Sequence, residues 1–192
     1  FGGNQLAVFL YEKGLTAAKM QKIAKEMNMS ETVFIRSSKK KSVDYCIRIF
    51  TPEKELPFAG HPVIGTAHIL REIGEVPGGD HVIKLSMKAG IMSIFQKQQS
   101  YLFMSQLLPK YKIPLNSTKE ISNVLGIKNK LISSNSCPLQ IVSTGLPVLI
   151  VPINSLYELN KIKVDQINLK KILLKMGTDI IYTFTYQKFY SK

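Results

Sequence analysis

Apolar residues in this chain arrive in short runs that glycine, proline or polar pairs keep interrupting, and this brevity limits the architectures open to it. The most apolar stretch, Pro147 to Ile153, has the length and β-branched content of a strand. A membrane-spanning helix needs about 18 or more uninterrupted apolar residues, and no window approaches that, so no membrane partner is expected. Strand-like runs fall at 6–10, 32–36, 44–50, 82–87, 91–95, 102–104, 139–144, 148–151 and 180–185. Helical periodicity is confined to four places. The first runs from an N-cap at Thr16 to about Met27, with the stripe Met20, Ile23, Ala24 and Met27 and a stop at Asn28. The second covers about Pro62 to Ile73, with proline in its first turn and Gly74 just past its end. The third runs from Ser117 or Thr118 to Leu125, and the fourth lies near 166–175. Many strands mixed with a few helices specify an α+β fold. Pro109 to Asn116, with two prolines, is expected to be a linker dividing a domain 1–108 from a domain 109–192.

A 192-residue chain that is 45% hydrophobic and 20% charged has ample material for packed cores. Its net charge of +13 raises the possibility of nucleic-acid binding, but the excess is lysine dispersed along the sequence, with one run at Lys39, Lys40 and Lys41. That run sits between two strand-like segments and is expected to be a solvated hairpin loop. Solubility, not a nucleic-acid partner, is the expected consequence. Cys46 and Cys137 lie far apart without His or Cys at metal-ligand spacing, so neither a disulfide framework nor a metal site is expected. The chain does not open like an export signal, and a cytoplasmic location is expected.

Two segments carry residues suited to chemistry. In Pro57-Phe58-Ala59-Gly60-His61-Pro62-Val63-Ile64-Gly65-Thr66-Ala67 a glycine-flanked loop delivers the chain into a helix. The free N–H groups of a helix start, with the helix dipole, suit a carboxylate ligand. Gly60 permits close ligand approach, Gly65 close helix packing, and His61 at the mouth can accept or donate a proton. In Asn28-Met29-Ser30-Glu31-Thr32-Val33-Phe34, Glu31 lies where a helix hands over to an apolar strand. A carboxylate there is placed for partial desolvation, as a general acid/base requires. Each segment alone is also compatible with an ordinary capped helix or an exposed glutamate.

Taken together, Gly3-Asn4-Gln5-Leu6-Ala7-Val8, the stretch from Met27 to Phe34 and the stretch from Arg48 to Ala67 resemble the PhzF (phenazine biosynthesis) family in residue and order. The last of these reads Arg-x-Phe-Thr-Pro-x-x-Glu-Leu-Pro-Phe-Ala-Gly-His-Pro. Val142-Ser143-Thr144-Gly145-Leu146-Pro147 resembles the opening of the family's second domain. The resemblance implies a diaminopimelate-epimerase-like fold, two similar domains each with a curved mixed sheet around a central helix. It implies a cofactor-independent isomerase in which Glu31 is the general acid/base and His61 orients the substrate and helps shuttle the proton. Gly60, Pro62 and Ser30 would bind a small carboxylate-bearing substrate. It implies no cofactor and no metal, and a possible homodimer. Related epimerases use a thiol pair in their glycine-rich loops; Ala59-Gly60-His61 has no cysteine, which speaks against that chemistry.

The family pattern also begins with an earlier strand and continues through an Asp-Pro-Ala-Thr-Gly-Ser-Ala loop with an acidic partner, which these residues lack. The chain is therefore expected to be incomplete at both ends, its second sheet short of an inner layer, and the alternative reading is a non-catalytic or decayed binding relative.

Overall fold

The computed structural model describes residues 3–10, 13–77, 79–97, 101–132 and 137–187. Its contacts divide the chain into two compact units, Phe1–Leu107 and Leu108–Lys192.

In the first unit the strands are β1 (Leu6–Phe9), β2 (Glu31–Ser37), β3 (Tyr45–Phe50), β4 (Glu55–Leu56), β5 (Ile83–Met87), β6 (Gly90–Lys97) and β7 (Tyr101–Met104). They form one mixed sheet in the order β1-β2-β3-β5-β6-β7, with the short β4 also on β3. Strand β2 runs parallel to β1 and antiparallel to β3, so 31–37 and 45–50 make a hairpin with Lys39, Lys40 and Lys41 exposed in its turn.

Alternation along β2 assigns its side chains to two faces. Val33 and Ile35 join Ile47 and Ile49 beneath α2 (Gly60–Glu72), which contributes Val63, Ala67 and Leu70. Phe34 faces the other way and packs with Phe50 beneath Met20 and Ala24 of α1 (Ala17–Met27). Phe34 stacks on Phe9 with ring centroids 5.1 Å apart and meets Phe50 edge-on at 5.6 Å. Helix α1 is capped where its sequence demands: Thr16 Oγ1 accepts from Lys19 N–H at 3.3 Å, and Asn28 closes it in the left-handed region at φ 49°. Gly65 lets α2 lie close over β1, since a Cβ there would come within 2.6 Å of Leu6 Cδ2.

The second unit has β8 (Lys110–Tyr111), α3 (Thr118–Leu125), β9 (Gln140–Ser143), β10 (Pro147–Pro152), α4 (Leu156–Leu159), α5 (Gln166–Met176) and β11 (Ile181–Phe184). Its sheet order is β11-β10-β9-β8, with β10 parallel to β11 and antiparallel to β9. Ile141, Leu149 and Val151 pack against Ile121, Val124 and Leu125 of α3 and Leu169 and Leu173 of α5. The stretch 109–116, expected to be a linker, carries strand pairing: Lys110 and Tyr111 pair with Ser143 and Val142, and Lys112 and Leu115 N–H donate to Ile141 and Leu139 carbonyls. Two prolines did not prevent pairing because an edge strand needs donors on one side only. The second sheet also has a packed layer on one face, supplied by α3 and α5. Among the described residues, no helix is long and apolar enough to cross a membrane.

Candidate active site

Glu31 is the first residue of β2, reached directly from the Asn28 turn through Met29 and the exposed Ser30. Its side chain shares the face of Val33 and Ile35, the face that α2 covers. His61 lies in the first turn of α2. The two meet: His61 Nε2 is 3.1 Å from Glu31 Oε2, with the Glu31 side chain 16% exposed and that of His61 38% exposed. Both facing atoms are themselves buried, and neither makes an aligned hydrogen bond with any described residue. The rest of the imidazole is thus the open side of an otherwise covered carboxylate–imidazole contact.

The start of α2 adds donors. Its N-cap is Ala59, which has no side chain to cap with, and no acidic residue stands in the first turn. The N–H groups of Gly60, His61 and Val63 therefore lie in an uncapped helix start, where the dipole favours an anion. Pro62 is buried and has no N–H, so it shapes this turn without offering a contact through its backbone nitrogen. Gly60 faces Met104 of β7: a Cβ there would lie 3.9 Å from the Met104 methyl, an ordinary contact. The helix starts two residues before Pro62, which puts His61 inside the first turn and not ahead of it.

The approach to this helix is pinned by ion pairs. Arg48 of β3 donates through Nε and Nη2 to the two carboxylate oxygens of Glu55 in β4, both at 2.8 Å, and Lys88 Nζ reaches Glu55 Oε2 at 2.6 Å. The Arg48 guanidinium holds the Glu55 carboxyl below its ordinary range; burial opposes this, and Lys88 adds to it. Ala89, next to Lys88, donates its N–H to Pro57 O at 3.0 Å. Segment 55–57 is thereby held from two sides just before Gly60. Arg48 and Glu55 belong to the motif read from the sequence, whereas Lys88 carried no local signal. Among the described residues no group of His, Cys, Asp and Glu could hold a metal ion.

The first unit is thus a mixed sheet whose strand start sets a carboxylate against an imidazole at a helix start. The chain belongs to the phenazine biosynthesis-like (PhzC–PhzF) family, whose model matches residues 1–191. It is 35% identical over 147 residues to the trans-2,3-dihydro-3-hydroxyanthranilate isomerase of Pseudomonas chlororaphis, covering 74% of this chain and 49% of that one. It superposes on the PhzF-family phenazine biosynthesis protein of Bacillus anthracis with a TM-score of 0.76 at 28% identity, over 99% of this chain and 64% of the other. A likeness in fold alone extends to a probable proline racemase of Agrobacterium radiobacter, at TM-score 0.50 and 9% identity, over 88% of this chain and 54% of the other. The chain spans about half the length of the curated relatives it matches.

Proposed function

We propose that the protein is a cofactor-independent isomerase in which Glu31 carries a proton between two carbons of a small carboxylate-bearing substrate. The observation that supports this most is the buried 3.1 Å contact between Glu31 Oε2 and His61 Nε2 beside an uncapped helix start. In this reading the carboxylate removes a proton from one carbon as its bonding electrons shift along the conjugated system. The resulting carboxylic acid then returns the proton to a different carbon. Nothing is oxidised and no group leaves, so the reaction balances without a co-reactant. His61 keeps the Glu31 oxygen oriented and bonds a polar group of the substrate through its open side. The N–H groups of Gly60, His61 and Val63 hold the substrate carboxylate, and Ser30, exposed one residue before the base, offers its hydroxyl at the rim. Relatives named as isomerases support the reaction class.

The test is deuterium exchange. The longest natural form of the protein, offered trans-2,3-dihydro-3-hydroxyanthranilate and a panel of cyclic amino and hydroxy acids in D2O, is expected to place deuterium on a carbon of one of them. Glu31→Gln is expected to lower that rate by about 10²- to 10⁴-fold while the protein stays folded. Turnover that survives Glu31→Gln undiminished would eliminate Glu31 as the proton carrier.

A further inference from the structure

Strands β5, β6 and β7 extend the first sheet past the aromatic cluster that α1 covers on β2 and β3. Ile83, Leu85, Met92 and Ile94 point into the core beneath α2. Alternation therefore sends Lys84, Ser93, Phe95, Lys97, Tyr101 and Phe103 to the opposite face. Register sets these side chains in three adjacent rows: Lys97 opposite Tyr101, Phe95 opposite Phe103, and Lys84 opposite Ser93. Tyr101 is 66% exposed and Phe103 46%, while Phe95 is half-buried. The Phe95 and Phe103 rings lie within 13° of parallel with centroids 5.9 Å apart, and Lys97 Nζ stands 5.7 and 5.8 Å from the two centroids. Exposed Lys84 lies about 13 Å further along the sheet, with the phenylalanine row between the two lysines.

The sequence of this region is charged in one sense only. From His81 to Lys119 there is no Asp or Glu, so none of the three strands brings an acid to the face. Lys88, in the β5–β6 turn, is paired with Glu55 and is not counted here. The Asp44 carboxylate accepts the Lys84 backbone N–H at 2.7 Å on the β3 side of that strand, the side away from β6. Exposed rings with cations before and after them suit a ligand that alternates flat π-systems with anions. Bases stack on aromatic side chains of any sequence context, and phosphates pair with lysine. A second copy of the same face would set lysine against lysine, which is unfavourable. Dispersal of lysine along the sequence argued against such a partner, but strand pairing brings Lys84 and Lys97 onto one face with the rings. We infer that the outer face of β5–β7 binds single-stranded nucleic acid, its bases on Phe95, Phe103 and Tyr101 and its phosphates on Lys84 and Lys97, independently of the Glu31–His61 site.

The experiment is fluorescence anisotropy of the full chain with fluorescein-labelled single strands of about 12 thymidines or 12 uridines, read over a range of salt concentrations. Both strands are expected to bind more tightly than a duplex of the same length. Phe103→Ala is expected to weaken binding about tenfold, the loss of one stacked base, while Phe103→Trp keeps it. Phe103 is exposed, so both variants are expected to fold, and circular dichroism checks that. K84M/K97M is expected to flatten the plot of log affinity against log salt by about 1.4, from about 0.7 for each of two phosphates. The control K19M/K22M, on the exposed side of α1, is expected to change the slope less. Absence of binding at about 0.1 M salt would overturn the assignment, as would affinity indifferent to Phe103→Ala or a slope unchanged in K84M/K97M. Binding of phosphatidylserine vesicles but not of either oligonucleotide, lost in Phe103→Ala, would replace it with a lipid surface. A dimer in sedimentation that Phe103→Ala dissociates, with no oligonucleotide bound, would replace it with a self-association face.

Discussion

The two sheets of this protein differ in how they are covered. The sheet of the first unit is buried on both faces where β2 and β3 cross it, by α2 over Val33, Ile35, Ile47 and Ile49 and by α1 over Phe34 and Phe50. Among the described residues, the sheet of the second unit is packed on one face, by α3 and α5. On its other face Val142, Val148 and Ile150 are only half-buried, and Tyr182 is 59% exposed. A strand covered on both faces buries successive residues instead of alternate ones, and Thr32 to Ile35 is buried at every position, with Thr32 the one polar side chain among the four. A strand covered on one face must alternate, and β10 does so from Val148 to Val151. The doubly covered sheet is the one that positions the carboxylate–imidazole pair, because a strand fixed from both sides leaves Glu31 little freedom to move relative to α2.

The sharpest way to break this comparison is to empty the α1 side of the first sheet. Phe34→Ala removes a ring lodged between Phe9 and Phe50 and is expected to cost about 3–5 kcal/mol in a denaturant melt. If the loss is below about 1 kcal/mol, α1 is not a second cover and the distinction between the sheets fails. A next, smaller contrast lies within β10. Leu149→Ala, on the covered face and fully buried, is expected to cost about 2–4 kcal/mol, and Ile150→Ala, on the open face, under about 1.5 kcal/mol. Equal costs at 149 and 150 would mean that something covers the second face as well.

Much of this was readable because the signals are local. Thr16 and Asn28 bracket α1 by cap chemistry, and Gly126 ends α3 in the left-handed region. The strand β2 announced itself through continuous apolar residues. The start of α2 was displaced by two residues because proline is the usual marker of a first turn, and here Gly60 and His61 precede it without any capping side chain. The pairing of 110–111 was missed because prolines signal a break more strongly than a two-residue edge strand signals pairing. The short strand β4 and helix α4 are too brief to produce a period. The approach of Glu31 and His61 to 3.1 Å depends on parallel pairing of β1 with β2 and on α2 lying close over Leu6 at Gly65. These are long-range events that spacing along the chain does not encode. Lys88 joined Glu55 for the same reason: 33 residues apart, they meet only through the β5–β6 turn.

That ion-pair cluster gives the smallest predicted effect and the one most diagnostic of how segment 55–57 is held. The Glu55 carboxyl is held below its ordinary value near 4.5, chiefly by Arg48. A carboxylate whose folded-state pKa is depressed contributes stability that is fully present above the unfolded value. That contribution fades as pH falls from about 4.5 through the lower folded value. Glu55→Gln keeps the shape but removes the charge, and is expected to cost about 1 kcal/mol at pH 7, modest because the Lys88 partner is largely solvated. The gap between wild type and Glu55→Gln should then narrow as the pH is lowered below 4.5, while an unrelated surface Glu→Gln control shows a constant gap. If the gap stays constant, the carboxylate adds shape and not charge. The helix start at Gly60 would then be fixed by the Ala89 to Pro57 hydrogen bond and the burial of Phe58 alone.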